Sequence, residues 1–132
     1  MGEIADVDGL PTRVIPKTRM KGRKRHRVPL TPQMVALLGE RRADNVPLFK
    51  VTSANGMLNT LKANGGNGFT VHGFRTSFQE YVAAETDWPD DLADRCIAHE
   101  RRTKVRRAYQ RDDLLPKRRL IMLAWSKFCT TN

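Results

Sequence analysis

Apolar residues recur at helical spacing through the second half of the chain and alternate only over short runs near its start. Arg13-Val14-Ile15-Pro16 and His26-Arg27-Val28-Pro29-Leu30 read as two short strands between Thr12 and Leu30. The Gly-containing basic run Lys21-Gly22-Arg23-Lys24 lies between them, which predicts a hairpin. Its prolines confine the strands to an edge or to strand ends. Met1 to Leu10 shows no clear periodicity and stays unassigned.

Helices dominate from Thr31 onward. Thr31 as N-cap and Pro32 at the first helical position predict a helix ending near Arg42, with Met34, Leu37 and Leu38 inward. Val46 to Phe49 reads as a buried connector, and Ser53 to Ala63 as a helix with Met57, Leu58 and Leu61 inward. Asn64-Gly65-Gly66-Asn67-Gly68 predicts a loop. A helix follows from Thr70 to about Thr86, with Phe74, Phe78, Tyr81 and Val82 as its stripe. Pro89 to Ala98 comes next, with Leu92, Cys96 and Ile97 inward. A polar connector from Glu100 to Lys104 leads to a short helix carrying Val105, Ala108 and Tyr109. Asp112 or Asp113 caps a last helix that bears Leu114, Ile121, Trp125 and Phe128 at helical spacing, with Leu120 and Ala124 beside them. The expected fold is mainly α with a small antiparallel β-hairpin or sheet, an α+β class, in a single domain over residues 1–132.

Charge adds a partner to this outline. Twenty-four Lys and Arg face fourteen Asp and Glu, a net charge of +10. Eight cations fall between Arg13 and Arg27 with no acid among them. Nine more fall between Arg101 and Arg119, opposed only by Asp112 and Asp113. Such segregation makes a basic face, which draws polyanions. No apolar run approaches the roughly 20 residues that span a bilayer, and no secretory signal is visible at the start. Cys96 and Cys129 read as packed, reduced thiols. Cys96-x-x-His99 has no second half-site at zinc spacing.

The chemistry concentrates between Thr70 and Tyr109. His72 and Arg75 stand at i and i+3, sharing a face at the start of a helix. His99 ends the following helix, and Tyr109 comes ten residues later. Attack of a tyrosine hydroxyl on a phosphodiester needs a guanidinium fork on the phosphate, donors to the developing pentavalent centre and an acid for the leaving oxygen. Tyr109, Arg75, His72, His99 and a lysine could fill these roles, with no carboxylate cluster for Mg²⁺. Equally ordinary uses exist: a core tyrosine, a packed imidazole, a solvated basic face.

His72-Gly73-Phe74-Arg75, Ala98-His99 and Ala108-Tyr109 resemble the second half of the tyrosine recombinase (phage integrase) signature. The hairpin Arg19-Met20-Lys21 with His26 to Leu30, and the ending Ala108 to Asp112 with Lys117-Arg118-Arg119 and Met122 to Trp125, are similar to prophage integrases. The resemblance covers about Arg13 to Cys129. It implies Tyr109 as the nucleophile of a 3′-phosphotyrosyl intermediate and Arg75 as the clamp on the scissile phosphate. It implies His72 for proton transfer, His99 as a donor to the phosphate, and Lys21 as general acid, with Lys24 and Lys17 lesser candidates. Arg19, Arg23, Lys24, Arg25, Arg101, Arg102, Lys104, Arg106 and Arg107 would meet DNA. The implied reaction is site-specific recombination, integrating or excising a phage or genomic island, without metal or other cofactor. The implied partners are double-stranded DNA and further copies of the chain, as a tetramer on DNA. The implied location is the bacterial cytoplasm, at the nucleoid. The family's other catalytic Arg precedes a Gly-Glu pair, and Gly2-Glu3 fits the tail of that motif. The expectation is therefore a catalytic-domain fragment lacking the N-terminal DNA-binding domains, weakly active or inactive alone. A catalytically inactive DNA-binding module of the same fold and a helical protein-interaction domain stay open as alternatives.

Overall fold

The computed structural model describes residues 2–40, 43, 53, 55–99 and 113–131. It is an α+β fold in which a three-stranded antiparallel sheet stands beside helices. The strands are β1 (Ile4–Val7), β2 (Leu10–Ile15) and β3 (His26–Pro29), in the order β1-β2-β3. The expected hairpin is present, with Val14 opposite Arg27 and Ile15 opposite His26. A third strand joins it from the stretch that periodicity left unassigned. Asp8 and Gly9 both take positive φ, at 56° and 75°, and close β1 onto β2 with Val7 opposite Leu10. Two successive positive φ values give the turn whose twist matches paired strands, and Asp-Gly is a favoured sequence for it. Asp6 Oδ1 accepts from the Gly9 N–H at 2.8 Å. Between β2 and β3 the chain makes a 3₁₀ turn at Lys17–Arg19 before the basic tip.

The described helices are α1 (Pro32–Leu38), α2 (Gly56–Ala63), α3 (Gly73–Glu85), α4 (Asp90–Cys96) and α5 (Leu115–Thr131). Thr31 caps α1 as expected: its hydroxyl accepts from the Met34 N–H at 3.3 Å. The helix stops at Gly39 (φ 66°), short of Arg42. Thr70 Oγ1 accepts from the Gly73 N–H at 3.0 Å, so Thr70 caps a preliminary turn and α3 proper starts at Gly73. After α2 the Gly66 N–H returns to the Leu61 carbonyl at 2.9 Å. A Cβ on Gly66 would sit 2.8 Å from that carbonyl oxygen, which only glycine avoids.

The core lies among α3, α4 and α5. Phe78 and Val82, Ala93 and Cys96, and Ile121 and Met122 form it, with Tyr81, Trp88, Ile97, Trp125 and Met34 packed against it. Trp125 meets Phe78 edge-on at 5.6 Å and stacks on Phe128 at 5.7 Å. Trp125 thus packs within its own chain.

Several expected inward positions face water. Leu37 is 82% exposed and Phe74 58%, and Met57 and Leu120 are also exposed. On α5 the buried face carries Leu115, Arg118, Ile121, Met122 and Ser126. That face is rotated from the expected Leu114–Ile121–Trp125–Phe128 line. The reason is polar: α5 packs against β3 as well as against helices, and it offers Arg118 to the Arg27 carbonyl of β3 and Ser126 to the Thr31 cap of α1. No helix among the described residues is long and apolar enough to cross a membrane.

Candidate functional site

The C-terminal turn of α4 is where the sheet, α3 and two of the expected site residues, Arg75 and His99, converge. Helix ends leave carbonyls unpaired, and here side chains from two other elements take them. His26 Nε2 of β3 lies 3.3 Å from the Cys96 carbonyl oxygen. Arg75 Nη2 of α3 donates to the Ile97 carbonyl oxygen. Both are placed at the negative end of α4. One turn on from Arg75, Gln79 Nε2 donates to Asp94 Oδ1 at 2.9 Å. Arg75 and Gln79 thus grip α4 side by side.

Local geometry delivers His99 to the same turn. Ala98 adopts φ 53°, the left-handed conformation that glycine usually supplies after a helix. The chain doubles back, and the His99 N–H reaches the Asp94 carbonyl oxygen at 2.8 Å. The imidazole then lies over α4, with Nδ1 3.1 Å from Asp94 Oδ1. Asp94 is buried while the His99 side chain is 52% exposed. The carboxylate is in the protein and the ring faces solvent.

Of the residues that the sequence singles out, Arg75 and His99 therefore share one turn. His72 is exposed at the start of α3, where the Arg75 N–H donates to its carbonyl at 3.0 Å. Lys21, Arg23, Lys24 and Arg25 are exposed along the connection into β3. Arg19 is held by Glu3, which also pairs with Arg13 at 3.2 Å. Tyr109, Arg101, Arg102, Lys104, Arg106 and Arg107 lie outside the described residues, as do the Val46–Phe49 connector and the short helix expected around Tyr109.

Sequence reasoning missed a polar network behind this turn. Arg27 of β3 forks onto the Asp113 carboxylate. Arg118, with 2% of its side chain exposed, donates to the Arg27 carbonyl and to the Asp113 carbonyl at 3.4 Å. Burial pushes the Asp113 carboxyl up, but Arg27 and then Arg118 outweigh it and hold it below its usual range. Burial, and next the Arg118 charge, push His26 below its usual range. Burial pushes the Cys96 thiol up, with Arg118 opposing. Nothing local in the sequence marks Arg118 as buried. Arg119 likewise turns inward, donating to the Val7 carbonyl at 2.8 Å and to Thr12 Oγ1 at 3.0 Å. Among the described residues no group of three or more His, Cys, Asp or Glu could hold a metal ion.

A half-buried guanidinium and an oriented, half-exposed imidazole on a basic protein are groups that suit an anionic ligand. The chain is a relative of the phage and prophage integrases, as its motifs suggested. It is 33% identical over 127 residues to the integrase of Enterobacteria phage P4, covering 86% of this chain and 29% of that protein. It is 33% identical over 119 residues to prophage integrase IntS of Escherichia coli (strain K12), covering 81% and 31%. The integrase of Shigella phage Sf6 is 32% identical over 119 residues, with the same coverage of 81% and 31%. This chain thus spans less than a third of the length of these relatives. No protein-family model matches it, and no solved structure matches it.

Proposed function

We propose that this chain carries the strand-joining chemistry of a site-specific DNA integrase. Tyr109 attacks the scissile phosphodiester and forms a 3′-phosphotyrosyl bond. Arg75 clamps the non-bridging oxygens, His99 donates to them, and His72 assists proton transfer. Lys21 protonates the departing 5′-oxygen. A second strand's 5′-hydroxyl then reverses the reaction, so no external energy source is consumed. Arg23, Lys24, Arg25, Arg101, Arg102, Lys104, Arg106 and Arg107 hold the duplex backbone, with Arg19 beside them while paired to Glu3. Several copies act together on the DNA.

The observation that carries this reading is the meeting of Arg75 and His99 at one turn of α4 in a relative of integrases. Arg75 spends one N–H on the Ile97 carbonyl, and a guanidinium has four more. Its anchored fork is thus oriented and still able to bind phosphate.

The test is a nicked suicide duplex that traps the covalent intermediate, run beside a salt titration of duplex binding. Binding should weaken steeply with salt, and a protein–DNA adduct resistant to detergent, scarce with this chain alone, should vanish in Tyr109→Phe. Salt-sensitive binding with no Tyr109-dependent adduct would identify a DNA-binding module without catalysis. Absent or salt-indifferent binding would identify a protein-interaction domain.

A further inference from the structure

We infer that Asp94 is a positioning residue that sets the tautomer and aim of His99, presenting Nε2 to a DNA phosphate oxygen. The inference rests on the integrase reading for the identity of the ligand but not for the geometry. Asp94 Oδ1 lies 3.1 Å from His99 Nδ1 and accepts from Gln79 Nε2 at 2.9 Å. A carboxylate oxygen that already accepts from an amide takes a further hydrogen, so Nδ1 carries the proton. The ring's other nitrogen, Nε2, is then the atom left for a ligand.

Three features make this a built arrangement. The carboxylate is 7% exposed and cannot swing into solvent, whereas the imidazole it holds is 52% exposed. The backbone of the same two residues is tied, His99 N–H to Asp94 carbonyl, so ring and carboxylate move together. Gln79 holds Asp94 from α3, the helix that also places Arg75, so guanidinium and imidazole are referred to one frame. Donation from Nε2 to a phosphate calls for the doubly protonated ring, with Nδ1–H on Asp94 and Nε2–H on the phosphate. A carboxylate behind an imidazole is the arrangement that orients such a ring.

The experiment is long-range ¹H–¹⁵N NMR of the 132-residue chain at a pH where its three histidines are neutral, with His99 assigned by its loss in His99→Gln. The expected wild-type pattern is the Nδ1–H tautomer. In Asp94→Ala, checked for folding by circular dichroism, His99 should revert to the Nε2–H form that prevails in free imidazoles. A wild-type Nε2–H tautomer overturns the inference without any variant, as does an unchanged tautomer in a folded Asp94→Ala. In duplex binding, Asp94→Ala and His99→Ala should each weaken affinity by the same factor, about 2- to 5-fold, the size of one exposed ion pair. The double variant should lose no more than either single. Additive losses, or a loss in His99→Ala alone, overturn the positioning role and leave the integrase reading standing. The tautomer shift with no effect of His99→Ala on duplex binding instead overturns the phosphate contact, whereas the integrase reading is decided separately by the Tyr109-dependent adduct.

Discussion

Arg27 in β3 and Asp113 just ahead of α5 are 86 residues apart and joined by a two-pronged ion pair. The pair ties β3, the strand that follows Lys21, to the start of α5. Asp113 also accepts from the Leu115 N–H at 3.3 Å, so one carboxylate starts α5 and holds the sheet. Arg27→Ala or Asp113→Ala should each cost about 1–2 kcal/mol in urea unfolding, since partial exposure weakens the pair. The native carboxyl lies below its usual 3.8, so its contribution is present above that value. It is lost as pH falls through the lower native value. Asp113→Asn should flatten the stability–pH curve in that window; an unchanged acid slope would show that the pair contributes nothing.

His26 predicts a second, higher pH window. Burial lowers its proton affinity below the usual 6.5, so the unfolded chain takes up the proton first as pH falls. Stability should therefore decline on acidification from about pH 6.5 through the lower native value and then level off for this group. His26→Gln, which keeps a polar reach to the Cys96 carbonyl, should remove that slope. Thermal melts between pH 8 and 5 measure it.

Thr31 both caps α1 and shares a buried hydrogen bond with Ser126 of α5 at 3.0 Å. Thr31→Ala removes the cap and leaves the Ser126 hydroxyl unpaired. The expected loss is about 1–3 kcal/mol, while Thr31→Ser should cost much less. Equal losses in the two variants would show that the hydroxyl is not what matters.

Ala98 sits at φ 53°, a region that costs a side chain roughly 1–2 kcal/mol. Ala98→Gly relieves that strain and loosens the unfolded chain, so a net gain of about 0.5–1 kcal/mol is expected. The denaturant midpoint should rise with an unchanged slope. A fall would mean that the left-handed turn before His99 does not form in solution.

Much of the fold was legible because its signals are local. Thr31-Pro32 marked a helix start, the Phe78–Val82 stripe marked α3, and the basic turn marked the β2–β3 hairpin. Asp8-Gly9 is an equally local hairpin signal, masked because β1 is only four residues long and too short to show a period. The candidate residues Arg75, His72 and His99 were visible as types at suggestive spacings, and so was the basic excess. Their support was not. Asp94, Gln79, His26 and Arg27 read as ordinary polar residues until distant elements brought them together.

The chain's own order determined which segments could be helix or strand, because capping, turn chemistry and a 3.6-residue period act within a few residues. It also determined the charge and the inventory of cationic and imidazole side chains. Tertiary structure decided the rotation of α5, where burial of Arg118 against the Arg27 and Asp113 carbonyls displaced the expected apolar line. It decided too that the end of α4 would hold Arg75 and His99 together. That turn is assembled from carbonyls that a lone helix leaves unpaired, and only packing β3 and α3 against it supplies their donors.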